Sequence, residues 1–176
     1  MVRPVIVVEA DSSGEWDSRT DWAGLADEAV RAAVAQSAHA ALTESGITVE
    51  VSVKFGADDE VKALNATHRG QDKPTNVLSF PMLGAELIAS VGRAEGGEVL
   101  LGDVVLAAGV CSREAADKGV ALRTHAAHLI VHGTLHLLGY DHETGEADAE
   151  AMEEVERRAL AVIGIGDPYQ VTEVQS

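Results

Sequence analysis

The sequence is poor in the residues that staple, stack and span. Its 176 residues include one cysteine, Cys111. No disulfide can close within the chain, which points to a cytosolic setting. The longest apolar run, Val99 to Cys111, is broken by Asp103 and falls short of the ~20 residues a membrane span needs. The run Val5–Val8 is too short for a signal-peptide core and is followed by Glu9 and Asp11, so no secretory leader is expected. Basic residues are scarce: 13 Lys and Arg stand against 29 Asp and Glu, a net charge of −16. That balance argues against a broad nucleic-acid surface. The excess is uneven, however. Residues 29–142 hold thirteen acids and nine bases, and the remaining acidity lies towards the two ends. A local cationic groove is compatible with the middle of the chain.

Hydrophobic and charged contents of 46% and 24% are ordinary for a globular protein of one domain. No repeat or low-complexity linker divides it. We expect one domain over 1–166 and a flexible tail over 167–176. Residues 3–9 read as a strand, 11–19 as a polar loop and 21–44 as a helix with Trp22, Leu25, Ala29 and Ala33 on one face. Ile47, Val49, Val51, Val53 and Phe55 alternate as in a half-buried strand. Asp58 reads as the cap of a short helix to about His68. Val77–Phe80, closed by Pro81, reads as a strand. The connection through Gly92, Gly96 and Gly97 reads as a hairpin loop leading to a strand over Glu98–Ala107. Helices follow at about 110–118, stopped by Gly119, at 121–138 and at 147–163. The last carries Glu153–Arg157 and Glu154–Arg158 as i,i+4 pairs. The fold class is α+β: a small mixed β-sheet covered by about five helices.

Chemistry concentrates in His132-Gly-Thr-Leu-His136-Leu-Leu-Gly-Tyr-Asp-His142. On a helix His132 and His136 lie about 40° apart, one turn above the other. Gly139 is placed to stop the helix, after which the chain can bring His142 back. Three imidazoles around one point suit a catalytic zinc ion with a fourth position left for water. His125 and His128 share the same arc, so His128 with His132 forms a rival pair. His128 and His136 are about 12 Å apart along the axis, too far for one ion. His142, past Gly139, reaches the C-terminal end more easily, which favours the pair with His136. His125 and His128 are left for substrate or for orienting the ligands. Gly133 suits either close helix packing or close approach of a substrate. It also stands where a metalloprotease helix carries its glutamate base. Asp141 and Glu143 are candidates to orient a ligand imidazole.

Residues 132–142 resemble the H-G-x-L-H-L-x-G-Y-D-H signature of the YbeY family of bacterial metal-dependent endoribonucleases and rRNA-maturation factors. The block from Asn65 and Arg69-Gly70 to Pro74-Thr75-Asn76-Val77-Leu78-Ser79-Phe80-Pro81 resembles a second family segment. Leu101-Gly102-Asp103-Val104 resembles a third. The resemblance covers roughly residues 50–145. It departs at Asn76, where the family block has Asp; an amide keeps an acceptor without the charge, so a carboxylate role does not carry over.

The resemblance implies one Zn(2+) held by His132, His136 and His142, with Arg69 beside it. A guanidinium offers a planar fork to two phosphate oxygens and stays charged. Lys73 adds a second cation near the substrate, and His128 lies along the groove. Asp103 suits either an acceptor behind the site or a strand-end residue. The implied function is cleavage of single-stranded RNA in 16S rRNA 3′-end maturation and ribosome quality control. Ribosomal partners are expected, and no membrane or DNA. Water at the metal and the RNA 2′-hydroxyl both fit as nucleophile. Six aromatic residues are too few for base stacking to be the main grip. Two other functions fit the zinc ligands. A zinc peptidase would need the base that Gly133 replaces. A non-catalytic ribosome-assembly factor would need a fourth protein ligand, for which Cys111 is the one cysteine.

Overall fold

The computed structural model describes residues 6–40, 48–71, 73, 75–84, 87–88, 97–141 and 145–169. Within them lie four strands, β1 (Ile6–Ser12), β2 (Thr48–Gly56), β3 (Val77–Pro81) and β4 (Glu98–Ala107). Five helices of eleven residues or more accompany them: α1 (Trp22–Gln36), α2 (Asp58–Arg69), α3 (Ala108–Lys118), α4 (Leu122–Leu137) and α5 (Glu146–Val162). The sheet order is β1-β2-β4-β3. β1, β2 and β4 run parallel, and β3 is antiparallel to β4. This is the α+β domain with a mixed sheet that the alternation and turn signals imply. Among the described residues no helix is long and apolar enough to cross a membrane.

Alternation explains the layering. Val49, Val51, Val53 and Phe55 of β2 are buried, with half-exposed polar residues between them. Central β4 is buried along both faces from Val104 to Ala107, as a strand covered on both sides must be. α1, α4 and α5 share the larger core with β2 and β4, through Leu25, Ala29, Ile130, Leu135, Met152 and Leu160. Each such aliphatic side chain contributes about 1.5–3 kcal/mol on burial. α2 covers the other face, packing Val61 on Leu78, Val105 and Ala107. Three of the six aromatic residues, Trp16, Trp22 and Phe55, form a core cluster with ring centroids 4.9–5.3 Å apart.

One irregularity matters for position. The β2–β4 register shifts at Glu50/Val51, leaving Leu101 unpaired before Gly102. Gly102 has φ +155°, and a Cβ there would stand 2.5 Å from the Phe80 carbonyl oxygen and 2.6 Å from Leu137. A bulge that lets α4 sit this close to the sheet requires glycine.

Several boundaries differ from expectation. β1 runs on to Ser12, because pairing with β2 extends through Asp11 and Ser12. α1 ends at Gln36, where Ser37 turns extended; residues 41–44 of the expected helix lie outside the described residues, as do strand residues 3–5, Ile47, Gly92, Gly96 and tail residues 170–176. Asp58 does not cap its own helix. Its Oδ1 accepts the Gly109 and Val110 N–H groups, capping α3 from a neighbouring element, while Glu60 reaches back to the Ala57 N–H. In α5 Arg158 pairs with Glu154 at 3.2 Å, as expected. Arg157 turns to Glu154 and Asp167 in place of Glu153.

Candidate active site

α4 is the platform. Leu138 N–H bonds back to Thr134, Gly139 N–H to His136 and Tyr140 N–H to Leu135, and Gly139 has φ +98°. Those paired reverse bonds form a Schellman ending, so the chain leaves α4 directly beside His136, as the glycine predicts. Gly133 faces the sheet: a Cβ there would be 2.9 Å from Val104 Cγ1. Close helix–strand packing accounts for this glycine and seats α4 low on β4; Gly133 also lines the cavity beside His132.

A cavity of about 640 Å³ opens along α4. His125, His128, His132, His136, Gly139, Tyr140 and Asp141 line it from α4 and its end, and Arg69, Thr75, Asn76 and Ser79 from α2, β3 and the residues just before β3, together with Lys118 and Tyr169. Arg69 ends α2. Buried Asn65, one turn earlier, holds the following loop by donating to the Lys73 carbonyl at 2.8 Å. Lys73 lines an adjoining cavity that shares Arg69, Thr75 and Asn76. Asp103 sits mid-strand on β4, opposite Ser52 and Phe80, and is not among the described residues lining the cavity.

The histidine row has two kinds of member. His132 Nε2 and His136 Nε2 face one another at 3.1 Å. Two donors roughly 2.1 Å from a tetrahedral ion stand about 3.4 Å apart, so this pair fits one zinc ion. The His132 and His136 ring centroids are 4.7 Å apart, whereas His128 and His132 are 6.4 Å apart. The fold thus brings 132 and 136 together and not 128 and 132. His142 and Glu143 lie outside the described residues.

Behind the row stand two carboxylates that sequence reasoning missed. Glu156 of α5 is wholly buried. Its Oε2 lies 2.5 Å from His132 Nδ1, and its Oε1 meets His128 Nε2 at 3.2 Å and the Tyr169 hydroxyl. Burial alone would push this carboxyl up, but hydrogen bonds from His128, His132 and Tyr169 outweigh it and bring its pKa down to about 2. An ionised carboxylate only accepts, so the His132 nitrogen facing it carries the proton. Burial and the Glu156 charge push the Tyr169 hydroxyl well above its ordinary range, keeping it a donor. Glu114 of α3 plays the corresponding part at the other end. Its Oε1 lies 2.8 Å from His125 Nε2 and accepts from Asn76 Nδ2 at 3.0 Å. Burial would raise this carboxyl too; the His125 and Asn76 bonds outweigh that and lower it. Asn76 is therefore an amide donor beside an existing carboxylate, a place where Asp would set two acids together.

A signal for Glu156 does exist in the sequence. It falls between Met152, Val155, Ala159 and Leu160, the buried face of α5, and a carboxylate in an apolar stripe needs a partner. Cys111 is accounted for differently. It is buried on α3, its Sγ donates to the Asn76 carbonyl at 3.6 Å, and burial pushes its thiol up to about 12.

The arrangement is a recessed imidazole pair with an arginine across the same cavity, in a chain otherwise strongly acidic. Comparison with known proteins agrees with the sequence signatures. The family model described as Endoribonuclease YbeY matches residues 15–164, and the chain belongs to the YbeY family. It is 55% identical to the Endoribonuclease YbeY of Rhizorhabdus wittichii, covering 96% of this chain and 99% of that protein. It is 52% identical to that of Novosphingobium aromaticivorans, covering 94% and 96%. The solution structure of TM1509 from Thermotoga maritima shares the fold, with a TM-score of 0.53 at 20% identity over 94% of this chain and all of that one.

Proposed function

We propose that this protein is a zinc-dependent endoribonuclease for single-stranded RNA, acting in the cytoplasm on small-subunit rRNA 3′ ends and in ribosome quality control. The observation that carries the reading is the His132–His136 pair, its Nε2 atoms 3.1 Å apart, in one cavity with Arg69. Relatives over half identical along nearly the whole chain bear the name endoribonuclease. In this reading residues 1–166 form the catalytic domain, and ribosomal proteins are its partners.

His132 and His136, with His142 as the third ligand, would hold one Zn(2+). Bound there, the ion supplies Lewis acidity at the scissile phosphate. The other roles belong to the chain. Arg69, with no carboxylate paired to it among the described residues, receives the non-bridging phosphate oxygens and stabilises the added charge of the transition state. Lys73, in the adjoining cavity, takes a neighbouring phosphate. His128 lines the path of the strand between the Glu114 and Glu156 carboxylates. Trp16, Trp22 and Phe55 are committed to the core, so grip comes from the backbone and sequence preference is low.

Two observations weigh against the rival readings. Gly133 occupies the position of a protease base and is packed on Val104. Cys111, protonated and turned to Asn76, is a poor fourth ligand. Metal analysis with cleavage of a single-stranded RNA tests the proposal. His136→Ala should lose zinc and activity together. Arg69→Ala should keep zinc and lose activity by roughly 10²–10³-fold. Retained cleavage in His136→Ala, or cleavage unaffected by a chelator, overturns it.

A further inference from the structure

A wholly buried carboxylate is expensive to keep, and Glu156 keeps three donors around it: His128 Nε2, His132 Nδ1 and the Tyr169 hydroxyl. Those donors come from two places in the chain, α4 and the segment after α5. We infer that Glu156 is a positioning residue that fixes His132 as its Nδ1–H tautomer, so that Nε2 presents its lone pair to a metal ion; the inference rests on the zinc reading above.

The geometry separates this role from simple core filling. Glu156 splits its two oxygens: Oε2 is given to His132, while Oε1 collects His128 and Tyr169. His132 Nε2 is the atom turned towards His136. An imidazole whose Nδ1 donates to a fixed acceptor has one choice of lone-pair nitrogen, and its ring cannot flip without breaking that bond. Tyr169 and His128 satisfy the other oxygen, which keeps the carboxylate from rotating away. Tyr169 is itself held: its N–H donates to Asp167 at 2.8 Å, and Asp167 pairs with Arg157, one residue from Glu156. The segment after α5 is thereby tied to the site.

The test uses the full chain, in wild type, Glu156→Leu, Glu156→Gln and Tyr169→Phe. Leu removes every acceptor but fills the space; Gln keeps the shape with one acceptor for three donors and guards against loss of folding in the first. Zinc affinity is measured by competition with a chromophoric chelator at a temperature where circular dichroism shows each variant fully folded. The His132 tautomer is read from imidazole nitrogen-15 shifts of the metal-free protein. Zinc binding should weaken by 10–100-fold in Glu156→Leu and by about tenfold in Glu156→Gln. In both, the His132 ring should lose its uniform Nδ1–H state. Tyr169→Phe, which leaves the His132 contact in place, should stay within about threefold. Unchanged affinity or an unchanged tautomer in both Glu156 variants overturns the inference. A wild-type protein that takes up no zinc sinks the zinc reading instead, before any variant is made.

Discussion

The two halves of α4 use one residue type for opposite ends. In the N-terminal half, His125 and His128 are buried, and each points a ring nitrogen at a glutamate. In the C-terminal half, His132 and His136 turn Nε2 atoms towards one another in the open cavity. Spacing does not make the distinction, since 128/132 and 132/136 are both four apart. What divides them is what stands behind. Glu114 and Glu156 engage Nε2 of the first two rings; Glu156 takes only Nδ1 of His132, and its Nε2 stays turned towards His136 in the cavity. Which ring nitrogens stay turned to the cavity is set by where these two glutamates stand.

Removing a ring from each half tests that division most severely. His136→Ala should abolish tight zinc binding. His125→Gln, in the same helix three turns away, should leave zinc affinity within about threefold while lowering stability, because it strips Glu114 of its buried partner. Equilibrium dialysis with thermal unfolding of the same samples checks both. Equal zinc loss in the two variants would erase the distinction between the halves.

Gly133 joins the halves, and enlarging it should be the next largest effect. A valine there meets Val104 at its first carbon, and overpacking of this kind costs about 1–3 kcal/mol. It would also lift α4 from β4 on the ligand side. We expect chemical denaturation to show that loss, and Gly133→Ala to show less, since about 1 kcal/mol of helix propensity offsets the contact. A Gly133→Val protein as stable as wild type would show that the seat of α4 is not set here.

Much of this molecule was legible in its residues. The alternation of Val49, Val51, Val53 and Phe55, the span Glu98–Ala107 and the helix stops at Gly119 and Gly139 all read correctly. They did so because period and turn chemistry are local. What was not legible is long-range. Asp58 has the form of a helix cap, and only the fold shows that it caps the neighbouring helix α3. Glu156 hides in a helix with five other acids, Glu146, Asp148, Glu150, Glu153 and Glu154; its place in the apolar stripe is the clue, and the surrounding charge masks it. The sequence around Gly133 suits both close packing and an open cavity wall, and only the fold brings Val104 against it.

Asn76 sharpens the comparison at the N-terminal half. Its amide donates to Glu114, so Asn76→Asp removes a donor and sets two acids together. Glu114 is partly exposed, which screens the repulsion, and we expect a loss of about 1–2 kcal/mol at neutral pH. Unchanged stability would mean that the Glu114 arm is held by His125 alone.

The smallest effect concerns acid. Burial holds the His125 pKa below its ordinary value, and the Glu114 bond only partly offsets it. A histidine with a depressed folded pKa stays neutral in the native state while the unfolded chain takes up a proton. Between the two values the unfolded state binds more protons, so stability falls as pH falls. The contribution is therefore complete above an unfolded pKa of about 6.5 and is lost as pH drops through the folded value. Glu114, held low by the same contact, acts in the same direction but further down, below the ordinary carboxylate range. Melting temperatures from pH 7.5 to 5 should therefore decline more steeply for wild type than for His125→Gln, which lacks the titrating ring. His39, also lowered by burial, is common to both proteins and cancels in the difference. Parallel slopes would show that His125 keeps its proton balance on folding, and that the buried half of the row differs from the open half in packing alone.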